Sequence, residues 1–174
     1  ASGSGAEQQT PFSVTPGLFV DKPQAGPGER ATVSGGGFGS NETGIVLKLG
    51  DTTIKTGIVA NAQGSWDTTF VIPPLFGSSY NLTASGTQTS AGSVQERILT
   101  LTTRLTLSAS SGPPGTTIVL TGQGFAADEQ GLSILYDNTA VVSGISTDGF
   151  GAFTRSFEIP PSTAGSHSIV VGGS

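Results

Sequence analysis

The chain has no cysteine and no methionine, and a single histidine and a single tryptophan among 174 residues. Without cysteine there is no disulfide framework, no thiol nucleophile and no thiolate metal site. That absence leaves the compartment open, since many exported proteins also avoid cysteine. Any serine triad would have to use His167, and no serine stands in a nucleophile-elbow context. Charged residues make up only 11% of the chain, and the seven Lys and Arg are scattered against a net charge of −5. Nucleic acid is therefore not an expected partner, because binding it needs clustered cations that displace counterions. No apolar run approaches the roughly 18 residues of a helical membrane span, so membrane insertion is not expected. No stretch sustains a helical period.

What is present points to strands. Val, Ile, Thr and Phe are spread between turns rich in the 27 Gly and 10 Pro, the pattern of an all-β protein. The chain also repeats itself. Gly28 falls on Gly115, an offset of 87 residues, and the register then holds without a gap. Pro27 meets Pro114, Gly35 meets Gly122, Gly37 meets Gly124 and Phe38 meets Phe125. Further on, Gly57 meets Gly144, Gly64 meets Gly151, and Phe70, Ile72, Pro73 and Pro74 meet Phe157, Ile159, Pro160 and Pro161. Apolar positions agree in type, with Trp66 on Phe153 and Leu82 on Ile169.

Within each unit apolar and polar residues alternate at period two, as in Ile45, Leu47 and Leu49 or Leu132, Ile134 and Tyr136. Such alternation predicts antiparallel sheets with one buried face. About seven short strands per unit predict an immunoglobulin-like sandwich. The fold expected is therefore all-β, with two tandem immunoglobulin-like antiparallel β-sandwiches at residues 16–102 and 103–174, after a tail at residues 1–15.

The segments AGPGERATVSGGGF (Ala25 to Phe38) and SGPPGTTIVLTGQGF (Ser111 to Phe125) carry a family resemblance, as does STDGFGAFTRSFEIPPSTAGSHSIVV (Ser146 to Val171). They resemble the IPT/TIG-like Ig repeats of bacterial and archaeal surface proteins. The resemblance implies a cell-surface or extracellular structural role; no enzymatic activity is expected, because nothing in the sequence assembles a nucleophile, a base and an oxyanion site. It is specific for architecture, since such repeats serve as stalks, adhesins, S-layer parts and accessory modules alike.

The two units differ at their ends. In the first, FVIPPLFGSSYNLTASG is followed by the apolar SVQERILTLT; in the second, FEIPPSTAGSHSIVVGGS has no such sequel. The second sandwich is thus expected to lack its last strand. Leu99 and Leu101 of that strand map, 87 residues back, onto Phe12 and Val14. The tail Thr10, Pro11, Phe12, Ser13 and Val14 stands before the first unit as the closing strand of the first unit stands before the second. The expectation is that this tail is a donor strand for another copy, and that Ile159, His167, Ile169 and Val171 form the acceptor groove. Assembly would then resemble that of donor-strand pili or archaeal surface threads. The partner would be the chain itself in a head-to-tail homopolymer, with host or neighbouring cell surfaces as further partners. The alternative is two repeats of a longer Ig-like stalk, adhesin or S-layer array.

Other chemistry reads as sparse. His167 aligns with Tyr80 as a core-edge residue. Asp128, Glu129 and Glu42 read as solvated turn residues, because no DxDxDG pattern frames a calcium loop. No metal and no cofactor is expected. Asn41 in NET and Asn81 in NLT are the two N-glycan sequons, acceptors if the chain passes a glycosylating secretory route. Lys48 alternates with Leu47 and Leu49 and so points outward, which argues against an isopeptide bond.

Overall fold

A computed structural model describes residues 9–173; residues 1–8 and Ser174 lie outside it. The fold is all-β. In the first sandwich one sheet has the order β1 (Gly17–Val20), β3 (Arg30–Gly36), β6 (Trp66–Val71). The facing sheet runs β2 (Gln24–Ala25), β8 (Arg97–Leu101), β7 (Ser79–Ser85), β4 (Ile45–Leu49), β5 (Thr52–Ile58). Alternation puts Ala31 and Val33 inward from one sheet and Leu47, Leu49, Leu82, Leu99 and Leu101 inward from the other. All are buried in a single core.

The second sandwich repeats this plan with fewer strands. One sheet is β9 (Arg104–Leu107), β10 (Thr117–Gln123), β13 (Phe153–Glu158); the other is β12 (Thr139–Ile145), β11 (Leu132–Tyr136), β14 (Ile169–Gly173). Its core gathers Ile118, Leu120, Leu132, Ile134, Ile145, Phe153 and Phe157. Among the described residues, nothing corresponds to β2 or β8.

The repeat extends to fine geometry. Phe38 packs edge-on against Trp66 with ring centroids 5.4 Å apart, and Phe125 against Phe153 at the same distance. The β4–β5 and β11–β12 ladders slip register at equivalent places, between Ile45 and Lys48 and between Leu132 and Leu135. These irregularities fall on the outer strands β5 and β12, where a bulge discourages pairing with a foreign strand.

Gly64 explains one of the repeated glycines. It has φ +71°, its carbonyl accepts from the Phe38 N–H, and a Cβ there would stand 2.0 Å from the Phe38 oxygen. Gly151 repeats this against Phe125. Gly64→Ala is expected to destabilise the first sandwich by about 3 kcal/mol or more, since backbone must move to make room. Gly57→Ala supplies the control. Its φ is +70° but the space is open, so only left-handed strain remains, about 1 kcal/mol. Urea denaturation followed by the fluorescence of Trp66 separates the two costs.

Two sequence expectations shift. The apolar segment SVQERILTLT is strand only from Arg97 onward, after a 3-10 turn at Ala91–Ser93. The two-residue strand β2, which pairs parallel to β8, has no counterpart in the sequence reading.

The sandwiches meet through Thr102 and Thr103. The Gly77 N–H donates to the Gly124 carbonyl at 2.7 Å, and Arg104 Nη1 reaches the Pro27 carbonyl at 3.4 Å.

Candidate functional site

The way β8 completes the first sandwich sets the standard for judging the second. It runs antiparallel to β7, with Leu99 opposite Tyr80, Thr100 opposite Ser79 and Arg97 opposite Leu82. The Leu101 N–H bonds the Ser78 carbonyl at 2.8 Å. Odd-numbered residues of β8 therefore turn their N–H groups to β7. Even-numbered ones turn away, and the Thr100 N–H goes to the Pro23 carbonyl at 3.0 Å instead. Leu99 and Leu101 fill the space between the sheets at 0% and 2% exposure.

In the second sandwich β14 takes the place of β7 and pairs only with β11, in unbroken register. Its other edge has no partner among the described residues. Beside that edge lies a groove of about 260 Å³ lined by Leu107, Ile118, Tyr136, Ile159, His167 and Ile169. Ile72 and Leu82 are buried in the first sandwich, whereas their counterparts Ile159 and Ile169 stay half-buried. Val171 is also half-buried and packs on the core, but it does not line this groove. The opening thus sets the unpaired edge of β14 beside Ile118, Ile159 and Ile169, with Ser110, Ser111 and Ser166 also lining it, an arrangement that a further strand could pair with.

His167 is fastened at the groove wall. Its ring stacks on Tyr136, Nδ1 meets Asp137 Oδ2 at 2.5 Å and Nε2 meets the Thr163 carbonyl at 2.8 Å. Both partners are acceptors, so this geometry requires a proton on each ring nitrogen. The Asp137 hydrogen bond, then the Thr163 carbonyl, hold the imidazole above its usual pKa. His167 and the Ser168 amide in turn hold Asp137 below the usual carboxylate range.

The sequence expectation for Glu42 is overturned. It is not a solvated turn residue but 0% exposed. Its Oε2 accepts from the Gly39 N–H at 2.7 Å and the Thr89 hydroxyl at 2.6 Å; Oε1 accepts from the N–H groups of Gln88 and Thr89, each at 2.7 Å. Burial raises its pKa, but the Thr89 hydroxyl and the Gln88, Gly39 and Thr89 amides outweigh that and bring it to about 2. The signal available in the sequence was the 87-residue offset, which pairs Glu42 with Glu129.

Thr10, Pro11, Phe12, Ser13 and Val14 are exposed and belong to no strand; Phe12 is 90% and Val14 73% exposed. The chain just after them follows a known course. A Cβ on Gly37 would lie 3.0 Å from the Thr15 oxygen and from Pro16 Cα, as one on Gly124 would lie 2.9 Å from the Thr102 oxygen and 3.2 Å from Thr103 Cα. Thr15–Pro16 thus crosses the first sandwich as Thr102–Thr103 crosses the second.

Both sequons are exposed. Asn41 has φ +53° in a loop, with its amide donating to Ser40 Oγ; Asn81 on β7 donates to Glu96 Oε2 at 2.7 Å. Lys48 and Lys55 are exposed as well.

Residues 105–174 match the family model for the IPT/TIG domain. That segment is therefore an IPT/TIG Ig-like domain, a non-enzymatic fold often found in the adhesion and stalk proteins of cell surfaces. No curated protein matches the chain.

Proposed function

We propose that the chain is an extracellular structural subunit that polymerises head to tail, Thr10–Val14 of one copy completing the second sandwich of the next. The observation that carries this reading is the groove beside β14, at the place Leu99 and Leu101 fill in the first sandwich. With the 87-residue offset, Phe12 falls on Leu99 and Val14 on Leu101, so the tail offers two exposed apolar side chains to the groove. Burying them contributes roughly 1.5–3 kcal/mol each. Pro11 falls on Ile98, whose N–H turns away from β7. A residue without an N–H therefore costs the ladder nothing at that position. The path of Thr15–Pro16 over Gly37 also supports the reading, because the tail leaves its sandwich as the inter-sandwich segment does. Donor and acceptor are different surfaces, so the contact propagates into a filament and does not close as a dimer.

The match to the IPT/TIG domain supports a second reading, a spacer or binding module in a longer surface stalk or adhesin. One experiment separates them. Phe12→Cys and His167→Cys introduce the only thiols in a cysteine-free chain. Leu99 and Tyr80 face each other as a hydrogen-bonded pair, with Cα atoms about 5.5 Å apart, inside disulfide range. Mild oxidation of the double variant is expected to give a ladder of covalent dimers, trimers and longer species. Pro11→Cys with His167→Cys points the thiol to the other face and is expected to give none. A monomer-only pattern from the first pair contradicts the filament reading.

A further inference from the structure

His167 and Tyr80 occupy the same place in the repeat and tie down the same carbonyl. The Tyr80 hydroxyl donates to the Phe76 carbonyl at 3.2 Å; His167 Nε2 meets the carbonyl of Thr163, the residue 87 places beyond Phe76, at 2.8 Å. The turn beside them repeats as well, since the Gly50 N–H donates to the Asn81 carbonyl and the Asp137 N–H to the Ser168 carbonyl. The side chains of the two turns differ. A Cβ on Gly50 would press on the Tyr80 ring at 3.2 Å. Asp137 stands at that place in the second sandwich, and its carboxylate takes His167 Nδ1 at 2.5 Å and the Ser168 N–H at 2.9 Å. The pair Gly50 and Tyr80 thus corresponds to the pair Asp137 and His167.

The two pairs titrate differently. A tyrosine hydroxyl keeps its proton near neutrality, and burial raises the Tyr80 pKa further. An imidazole changes charge there. Fastening by His167 needs a proton on both ring nitrogens, so it is complete below the ordinary histidine range and is lost as pH rises through the raised value. Asp137, held low, stays ionised throughout and keeps the Nδ1 proton on its side. The proton that leaves for solvent is then the one on Nε2, and a lone pair is left facing the Thr163 oxygen. Thr163 to Ser166 loses its tie to the ring, and Gly165 and Ser166 of that segment line the groove. Among the described residues, Tyr136 is the other titratable group lining the groove, and Asp137 is the charged group bonded to the ring. The segments Ala109–Gly112 and Thr163–Ser166 bring none.

We infer that His167 makes subunit assembly sensitive to pH, holding the groove wall in place for the donor strand while both ring nitrogens carry protons and releasing it when one is lost. The inference rests on the donor-strand reading, in which Phe12 lies opposite His167 as Leu99 lies opposite Tyr80. The first sandwich is closed by its own β8 and has the tie that does not titrate. The second, closed by another copy, has the tie that does.

The test uses the full chain. The concentration needed for polymerisation is read by light scattering at steps from about pH 6 to about pH 9, the span over which a raised histidine titrates. The ring signals of the only histidine are followed by NMR over the same span, in a chain kept monomeric by Phe12→Asp and Val14→Asp. In the parent the threshold concentration is expected to rise about tenfold, the size of one charge-assisted hydrogen bond. The rise should begin at the pH where the ring titrates. Asp137→Asn removes the charge that holds the proton, so the onset of the rise and the ring titration are expected to move to lower pH together. A threshold that stays flat in the parent while the ring titrates, or an onset that ignores Asp137→Asn, overturns the pH sensitivity and leaves the donor strand standing. If the parent polymerises at no pH, the donor-strand reading itself fails, and this inference with it.

Discussion

Replacing Phe12 and Val14 together by Asp is expected to raise the concentration needed for polymerisation at least a hundredfold, to the point where the chain behaves as a monomer. Two effects act in the same direction. The apolar contribution of both side chains, roughly 1.5–3 kcal/mol each, is lost. Two carboxylates would also have to enter a groove floored by Ile118, Ile159 and Ile169, where an unpaired charge is costly. Because both residues are exposed in the single chain, the sandwiches should unfold as the parent's do in dilute solution. Pro11→Ala makes the contrast: the position turns away from the β14 ladder in the proposed register, so polymerisation should change little. Light scattering against concentration reads both variants. Polymerisation of the double-Asp variant at the parent's concentration contradicts the proposed role of the tail.

Acid is expected to weaken the two sandwiches unequally. The Glu42 pKa lies near 2 in the folded chain against 4.5 for an unperturbed glutamate. A depressed folded pKa contributes stability that is present above the unfolded value and lost as pH falls through the folded one. Between about pH 5 and pH 2 the first sandwich should therefore lose about 3 kcal/mol from this group alone. Glu42→Gln should remove a similar amount at neutral pH, since its amide nitrogen would face two donors where an oxygen now accepts, and should flatten the acid dependence. The only tryptophan, Trp66, lies in the first core. Its fluorescence in urea titrations at pH 7 and pH 3 follows that sandwich without interference from the other. An equal acid response in parent and variant would mean that Glu42 is not the group responsible.

The larger architecture was legible because its signals are local or repeated. Alternation in Ile45, Leu47 and Leu49 marks a strand without reference to any partner, and the offset that joins Gly64 to Gly151 marks a shared turn. What escaped depends on distant contacts. Two residues, Gln24 and Ala25, are too short for a periodic signal, and they become a strand only because β8 runs beside them. Glu42 looked like a loop carboxylate because its ligands, Gln88 and Thr89, are more than forty residues away in sequence. Parity placed Ile169 and Val171 on one face, but only Ile169 lines the opening, because parity says which way a side chain points and not what lies beyond it. The hydrogen bonds that fasten His167 to Asp137 and Thr163 were likewise beyond reach, although its place at the margin of the core was not.

The central claim is that the tail of one copy completes the second sandwich of another. Electron microscopy of the intact chain beside a chain lacking residues 1–14, at matched concentration, tests it most directly. Thin filaments from the intact chain and none from the shortened one are the predicted result. Filaments from both, or a monodisperse intact chain at every concentration, would contradict the account.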